Sequence, residues 1–177
     1  MERQKHGFDY QAEVIERFGL VKDENYTGKW DAYCEGVPVS IKSPKIGSDI
    51  ELADFFRQSN INEDFYMIVG FHDHENKNSI IEEYVLYIPK EKWAALFNPS
   101  FNARFKELLD NCSNEHSYDS IWAEKVKLLK ADWKKSTSNL IRPRFKRDHK
   151  TQRRIQCAIN NKDFYKYFIP QYVVGVV

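Results

Sequence analysis

Cysteine is scarce in this 177-residue chain: Cys34, Cys112 and Cys157 are odd in number and far apart. They match no zinc-ligand spacing and imply free thiols in a reducing compartment, so they receive no functional assignment. No apolar run approaches the length of a membrane helix, and none follows Met1-Glu2-Arg3-Gln4-Lys5-His6. Neither a signal peptide nor contact with a membrane is expected, and the expected location is cytoplasmic. Internal repeats and low-complexity tracts are absent as well. What remains is 42% hydrophobic and 15% aromatic residues, enough for a real core, and 30% charged residues. That balance describes one globular domain, or one domain with an appended arm.

The net charge of +1 conceals an asymmetry. Residues 1–99 hold 11 Lys and Arg against 18 Asp and Glu, whereas residues 100–177 hold 16 against 8. Within 125–154 there are 12 basic residues and two acidic ones, Asp132 and Asp148. A block of that density attracts a polyanion, and the acidic half suits a metal site. The competing explanation is a solvated basic surface without a partner.

Gly7 to Leu20 reads as a helix with Phe8, Gln11, Val14, Ile15 and Phe18 on one stripe and Gly19 as its stop. Gln11 is the polar member of that stripe. It either ends the stripe at solvent or points over the sheet towards Asp31. Ser43-Pro44-Lys45-Ile46-Gly47 is a loop, and Ser48-Asp49-Ile50-Glu51 has the capping-box pattern, predicting a helix to about Gln58. Phe65 to Phe71 is a continuous apolar run, expected as a doubly buried strand, and Glu83 to Ile88 is another strand. Phe71-His72-Asp73-His74 is read as a polar strand end entering a turn over Glu75-Asn76-Lys77-Asn78, although its two histidines can ligate metal. After Pro89 a helix is predicted around Lys92 to Phe97. From Phe101 to Trp133 the pattern is amphipathic and helical, broken by a polar loop over Asp110 to Asp119. This order gives an α/β domain with the sheet in the middle, expected as a core over 1–100 and a helical and basic region over 101–177 packed on the same domain.

The chemistry concentrates in Lys29 to Lys42, read as two strands joined at Glu35-Gly36. Period-2 alternation places Lys29, Asp31 and Tyr33 on one face and Trp30, Ala32 and Cys34 on the other. In the second strand Val37, Val39 and Ile41 point one way, and Ser40 and Lys42 the other. If the apolar faces share a core, the sheet brings a carboxylate and an ammonium together on its opposite face. A carboxylate holds a hard divalent cation; an ammonium orients water and stabilises developing phosphate charge. Those are the needs of metal-assisted phosphodiester hydrolysis. An ordinary surface ion pair would give the same pattern.

The basic block has a pattern beyond its charge. Arg142, Arg144 and Lys146 alternate with Ile141, Pro143 and Phe145, and Arg154 and Gln156 alternate with Ile155, Cys157 and Ile159. With Asp148 to Gln152 as the turn, this predicts a β-hairpin with one apolar and one basic face. Such a ribbon fits the major groove of B-DNA, where Arg reads guanine and Gln reads adenine. Phosphate contact alone is the simpler role for each residue.

In these motifs the sequence resembles the PD-(D/E)xK nuclease superfamily, and within it small type II restriction endonucleases, over roughly Gly7 to Ile88. Trp30-Asp31 stands where the family has Pro-Asp, Ser40-Ile41-Lys42 where it has (D/E)-x-K, and Gln11 where relatives often carry a helix Glu. The resemblance implies a restriction-endonuclease-like α/β fold: a central mixed β-sheet flanked by helices, plus the basic C-terminal hairpin. It also implies Mg²⁺ or Mn²⁺ as cofactor, Asp31 as a metal ligand and Lys42 positioning the attacking water. Ser40 and Gln11 depart from the family's acids. In similar enzymes with Ser at that position, a Glu from the next helix supplies the missing oxygen. Glu51 is the candidate here, with Asp54 and Glu35 behind it, although Glu51 also serves to close the capping box.

The implied function is a metal-dependent, site-specific endodeoxyribonuclease acting on double-stranded DNA as a homodimer, one active site per strand. Lys45, Arg142, Arg144, Lys146, Arg154 and Gln156 are the expected DNA contacts. The rival expectations are another nuclease of the same core (a junction resolvase, nicking or repair enzyme), a DNA-binding module without catalysis, and a protein-interaction domain.

Overall fold

The computed structural model describes residues 2–24, 29–76, 79–111, 118–149, 152–168 and 172–175. The chain is a mixed α/β protein with a central mixed sheet flanked by helices and a smaller three-stranded sheet built on an antiparallel hairpin. The elements are α1 (Glu2–Phe18), β1 (Val21–Lys22), β2 (Ala32–Cys34), β3 (Val37–Lys42), β4 (Ile50–Asp54), α2 (Phe55–Ser59), β5 (Phe65–His72) and β6 (Ile80–Ile88). They continue with α3 (Lys90–Ala94), α4 (Ser100–Asn111), α5 (Tyr118–Ser136), β7 (Ile141–His149), β8 (Gln152–Ile159), α6 (Asn161–Tyr167) and β9 (Tyr172–Gly175). Two compact units result: Met1–Ile50, Asn62–Lys90 and Asn161–Val177 form the first, Glu51–Ile61 and Glu91–Asn160 the second. The expected polar loop at Cys112 to Ser117, and the turn residues Lys77, Asn78, Lys150 and Thr151, lie outside the described residues. Among the described residues no helix is long and apolar enough to cross a membrane.

The first unit holds a six-stranded sheet in the order β1-β2-β3-β5-β6-β9. β3 and β5 run parallel, and the other neighbours are antiparallel. β2 and β3 are joined at Glu35-Gly36, as the sequence predicts, with φ values of 49° and 84°. Left-handed backbone at both turn positions is what a two-residue hairpin needs to match strand twist. Pairing of Ala32 with Val39 then sends Ala32, Val39 and Ile41 to one face. There they pack with Ile68 of β5 and with Tyr10 and Val14 of α1. On the other face Phe164 of α6 packs on Tyr84 of β6, rings 6.5 Å apart.

α1 ends where Gly19 predicts. Gly19 has φ 62°, its N–H donates to Glu16 O at 3.2 Å, and the Leu20 N–H donates to Ile15 O at 2.9 Å. Those two bonds satisfy two of the last carbonyls of the helix, those of Ile15 and Glu16. The predicted apolar stripe is rotated, however. Phe8 and Phe18 are 52% and 37% exposed, while Tyr10 and Val14 are buried. The reason is polar: the Tyr10 hydroxyl donates to Glu83 Oε2 at 2.7 Å, and Arg17 meets the same carboxylate. Glu83, on β6, is 3% exposed, so the pair of donors is what makes its burial tolerable. Burial, reinforced by Glu83, raises the Tyr10 hydroxyl well above its ordinary pKa, so it remains a donor. Tyr10 crosses β5 at Gly70, where an added Cβ would lie 2.2 Å from the hydroxyl oxygen.

The predicted helix from Ser48 does not form, and Ile50–Asp54, where the chain enters the second unit, is a strand. Ile50 and Leu52 are buried while Glu51 and Ala53 are exposed, a period of two. The Ser48 hydroxyl donates to Lys45 O instead of capping, and the cap of α2 is Asp54, whose Oδ1 accepts from Arg57 N at 2.8 Å. Ala53, at φ 71°, turns the chain from strand to helix. β4 joins β8 and β7 in the order β4-β8-β7. The hairpin forms in the predicted phase: Ile141, Pro143 and Phe145 oppose Ile159, Cys157 and Ile155. Arg142, Arg144 and Lys146 oppose Ala158, Gln156 and Arg154. Beneath the apolar face, Phe105 packs edge-on against Phe145 and the Trp133 indole donates to Ile141 O at 2.7 Å. Phe55 from α2 completes this cluster, 4.9 Å from Phe105 and 5.5 Å from Trp133. Burial raises the Cys157 thiol far above its ordinary pKa, which keeps it protonated and inert. Cys34 is likewise a free thiol.

Gly70→Ala is expected to cost about 2 kcal/mol or more, because the Tyr10 ring must leave its place over β5. Urea unfolding of the two proteins measures this, and equal midpoints would contradict the close approach.

Candidate functional site

Asp31 sits one residue before β2, at the point where that strand separates from β3. Its N–H donates to Val39 O at 3.0 Å, the last backbone bond of the hairpin on this side. Beyond it the side chain takes over: Asp31 Oδ2 accepts the Ile41 N–H at 2.7 Å. A carboxylate thus replaces a backbone carbonyl as partner of β3. Lys42, the last residue of β3, reaches the same oxygen at 3.5 Å, and its strand position is opposite Val69 of β5. Both side chains are about three-quarters buried, with 28% and 25% exposure for Asp31 and Lys42.

These distances separate what holds Asp31 from what it can do. At 2.7 Å the backbone bond is short and charge-assisted; at 3.5 Å the lysine contact is well beyond the 2.7–2.9 Å expected of a tight ion pair (about 2.8 Å at best). A pair this loose and partly hydrated contributes at most about 1 kcal/mol. Lys42 is therefore held near Asp31 without being consumed by it. Ser40 shares the Lys42 face of β3 and is 8% exposed. It carries no carboxylate for a cation.

The residues before Asp31 depart from the expected alternation. Trp30 does not join Ala32 under α1, because β2 begins only at Ala32. Its ring packs on Phe65, 5.0 Å between centroids, and its indole donates to Glu63 Oε1 at 3.0 Å. Lys29 meets the same oxygen at 3.0 Å and lies over the Trp30 ring. Glu63 thereby fixes the segment that delivers Asp31. The sequence offers no signal for it, since Glu63 is some thirty residues away in the chain.

The remaining predicted residues fall as follows. Gln11 is half-buried on α1, one position after Tyr10. Lys45 is exposed just past β3, where the chain makes a parallel bridge to His72 and His72 N donates to Pro44 O at 3.0 Å. His72 and Asp73 end β5 in a turn, Asp73 Oδ1 accepting from Glu75 N at 2.7 Å. That bond holds the Asp73 carboxyl below its ordinary pKa. Glu51 is on β4 of the second unit, exposed, with its Oε1 3.8 Å from Arg144 Nε. Asp54 is occupied as the α2 cap, and Glu35 is exposed in the hairpin turn. Arg142, Arg144, Lys146 and Gln156 are half-buried and Arg154 is exposed, all on one face of the β7–β8 ribbon.

Among the described residues no three His, Cys, Asp or Glu side chains converge as a metal cage. A divalent cation is therefore matched only in part: Asp31 brings one carboxylate. Mg²⁺ tolerates that poverty when water and a substrate phosphate supply its other ligands.

The chain matches no protein-family model, and no curated protein matches it.

Replacing Asp31 distinguishes its two duties. Asp31→Asn keeps an oxygen for the Ile41 N–H and should cost under about 1 kcal/mol, whereas Asp31→Ala leaves that donor without it and should cost about 1–3 kcal/mol. Equal stability of the two variants in urea would show that the Ile41 bond is unimportant.

Proposed function

We propose that the protein is a divalent-metal-dependent endodeoxyribonuclease, resembling small type II restriction endonucleases of the PD-(D/E)xK superfamily. The observation that carries this reading is the Asp31–Lys42 pair: a carboxylate and an ammonium 3.5 Å apart, about three-quarters buried, at the end of paired strands. A phosphodiester presents what those groups recognise, a negatively charged phosphorus centre that gains charge as it is attacked. Asp31 is the residue to hold Mg²⁺ or Mn²⁺ there. The cation, when bound, supplies charge neutralisation at the phosphate and eases formation of the nucleophile. Lys42 orients the attacking water and stabilises the charge that develops on the phosphate oxygens. Ser40 lies on the same strand face, where the family's second acid stands; the resemblance names Gln11 on α1 for the helix acid and Glu51, here on β4, for the missing oxygen. The Arg142, Arg144, Lys146, Arg154 and Gln156 face of the ribbon docks the duplex, and Lys45, just past β3, is a separate expected phosphate contact. Cleavage of both strands assigns a homodimer, one site to each strand.

A second reading is favoured by the shortage of acids: a nuclease-like fold that binds duplex DNA without cutting it. Plasmid cleavage in Mg²⁺ separates the two. The parent should give discrete fragments, and Asp31→Asn and Lys42→Ala should each lose at least about a hundredfold in rate, the scale of losing one charge-stabilising group. Nicking or a smear lost in both variants keeps the nuclease and removes site specificity. An uncut plasmid that still shifts in a gel supports the binding protein and ends the nuclease reading.

A further inference from the structure

We infer that the open edge of β7 is a second duplex-docking surface, in which Lys127, Lys130 and Lys134 of α5 track the phosphates of one DNA strand. The inference rests on the DNA-directed reading above but not on catalysis. α5 buries Trp122, Val126, Leu129 and Trp133, a stripe at helical spacing. On one flank of that stripe Asp132 turns to α4, where its Oδ2 is 2.6 Å from Arg104. Lys125, Leu128 and Leu129 line a groove with Arg104, Glu107 and Leu108 on that same flank. The opposite flank carries Lys127, Lys130 and Lys134, at spacings of three and four, all exposed.

Lys130 fixes where this flank lies. Its ammonium is 5.7 Å from the ring centre of Phe145, on β7. In the order β4-β8-β7 that strand has a neighbour on one side only, among the described residues. The lysines therefore run beside the strand whose outer face carries Arg142, Arg144 and Lys146. Asp132, the nearest acid on the helix, is directed away to Arg104, so this flank keeps its positive charge; Glu124, also exposed, is one turn before Lys127. Seven residues of helix between Lys127 and Lys134 rise about 10 Å, the axial length over which one strand of B-DNA presents about three phosphates. Three cations face three anions. A polyanion with regular spacing fits this edge, and duplex DNA is the occupant we assign.

The bland alternative is that lysines guard an open strand edge against pairing with another chain. Salt dependence decides between them, because each phosphate neutralised adds about 0.9 to the slope of log affinity against log salt. A labelled duplex is titrated in EDTA, where cleavage is silent, with the parent, with Lys127→Gln/Lys130→Gln/Lys134→Gln, and with Lys127→Gln/Lys134→Gln, which leaves the Phe145 contact intact. Slopes lower than the parent's by about 2.7 and 1.8 support the surface. The same slope in parent and folded double variant overturns it, as does a variant that only aggregates more. These slope differences, with a parent that leaves DNA uncut in Mg²⁺, end the nuclease reading and keep this surface. A parent with no duplex affinity overturns both.

Discussion

The carboxylate of Asp31 is the joint on which the rest of the site depends. The β2–β3 hairpin runs out of backbone pairing at Val39, and the next donor on β3, the Ile41 N–H, is met by Asp31 Oδ2 at 2.7 Å. That bond orients the carboxylate, while the parallel pairing of β3 with β5 carries the strand on to Lys42, opposite Val69. A buried backbone donor left without a partner would cost about 1–3 kcal/mol, more than the loose contact with Lys42 is worth. The bond to Ile41 is thus worth more than the contact with Lys42, and it fixes where the carboxylate sits. Trp30 and Lys29, anchored on Glu63, bring the chain to that point from the other side.

Further out, the central sheet is fixed by a buried polar contact as much as by apolar packing. Tyr10 passes over Gly70 to reach Glu83, and Arg17 joins it, so α1 has one rotation on the sheet. Burying a carboxylate gains little net energy even with two donors, but it penalises every other setting of the helix. The second unit relies on rings instead. Phe55, Phe105 and Trp133 pack edge-to-face beneath the hairpin, and the Trp133 indole ties α5 to β7. Its surface is where the cations gather.

Strands with one-sided burial were legible in the sequence. The Glu35-Gly36 turn and the alternation of Arg142, Arg144 and Lys146 with Ile141, Pro143 and Phe145 follow from period two alone, and both occur. The stop at Gly19 was legible for a similar reason, a local backbone requirement written in one residue. What misled was a local pattern with two meanings. Ser48-x-x-Glu51 spells a capping box, yet Ile50 and Leu52 are the buried positions of a strand and Asp54 caps the helix. The α1 stripe was misplaced because Tyr10 is buried by a partner 73 residues away. Glu63 carries no local signal for the same cause, its partner Trp30 being 33 residues away. In the candidate site, Asp31 and Lys42 were legible because hairpin geometry brings them together; the carboxylate that would complete a metal site was not, since tertiary placement decides it.

In the proposed nuclease, Asp31 offers an oxygen to a divalent cation at a DNA phosphate while it holds β3. Mn²⁺ binding followed by electron paramagnetic resonance tests this, in a Lys42→Ala protein whose turnover is expected to be at least about a hundredfold slower, with and without duplex. Weak binding to the free protein, tightened by duplex and lost when Asp31→Asn is added, is the predicted result. Mn²⁺ binding with duplex that is the same whether residue 31 is Asp or Asn would contradict it.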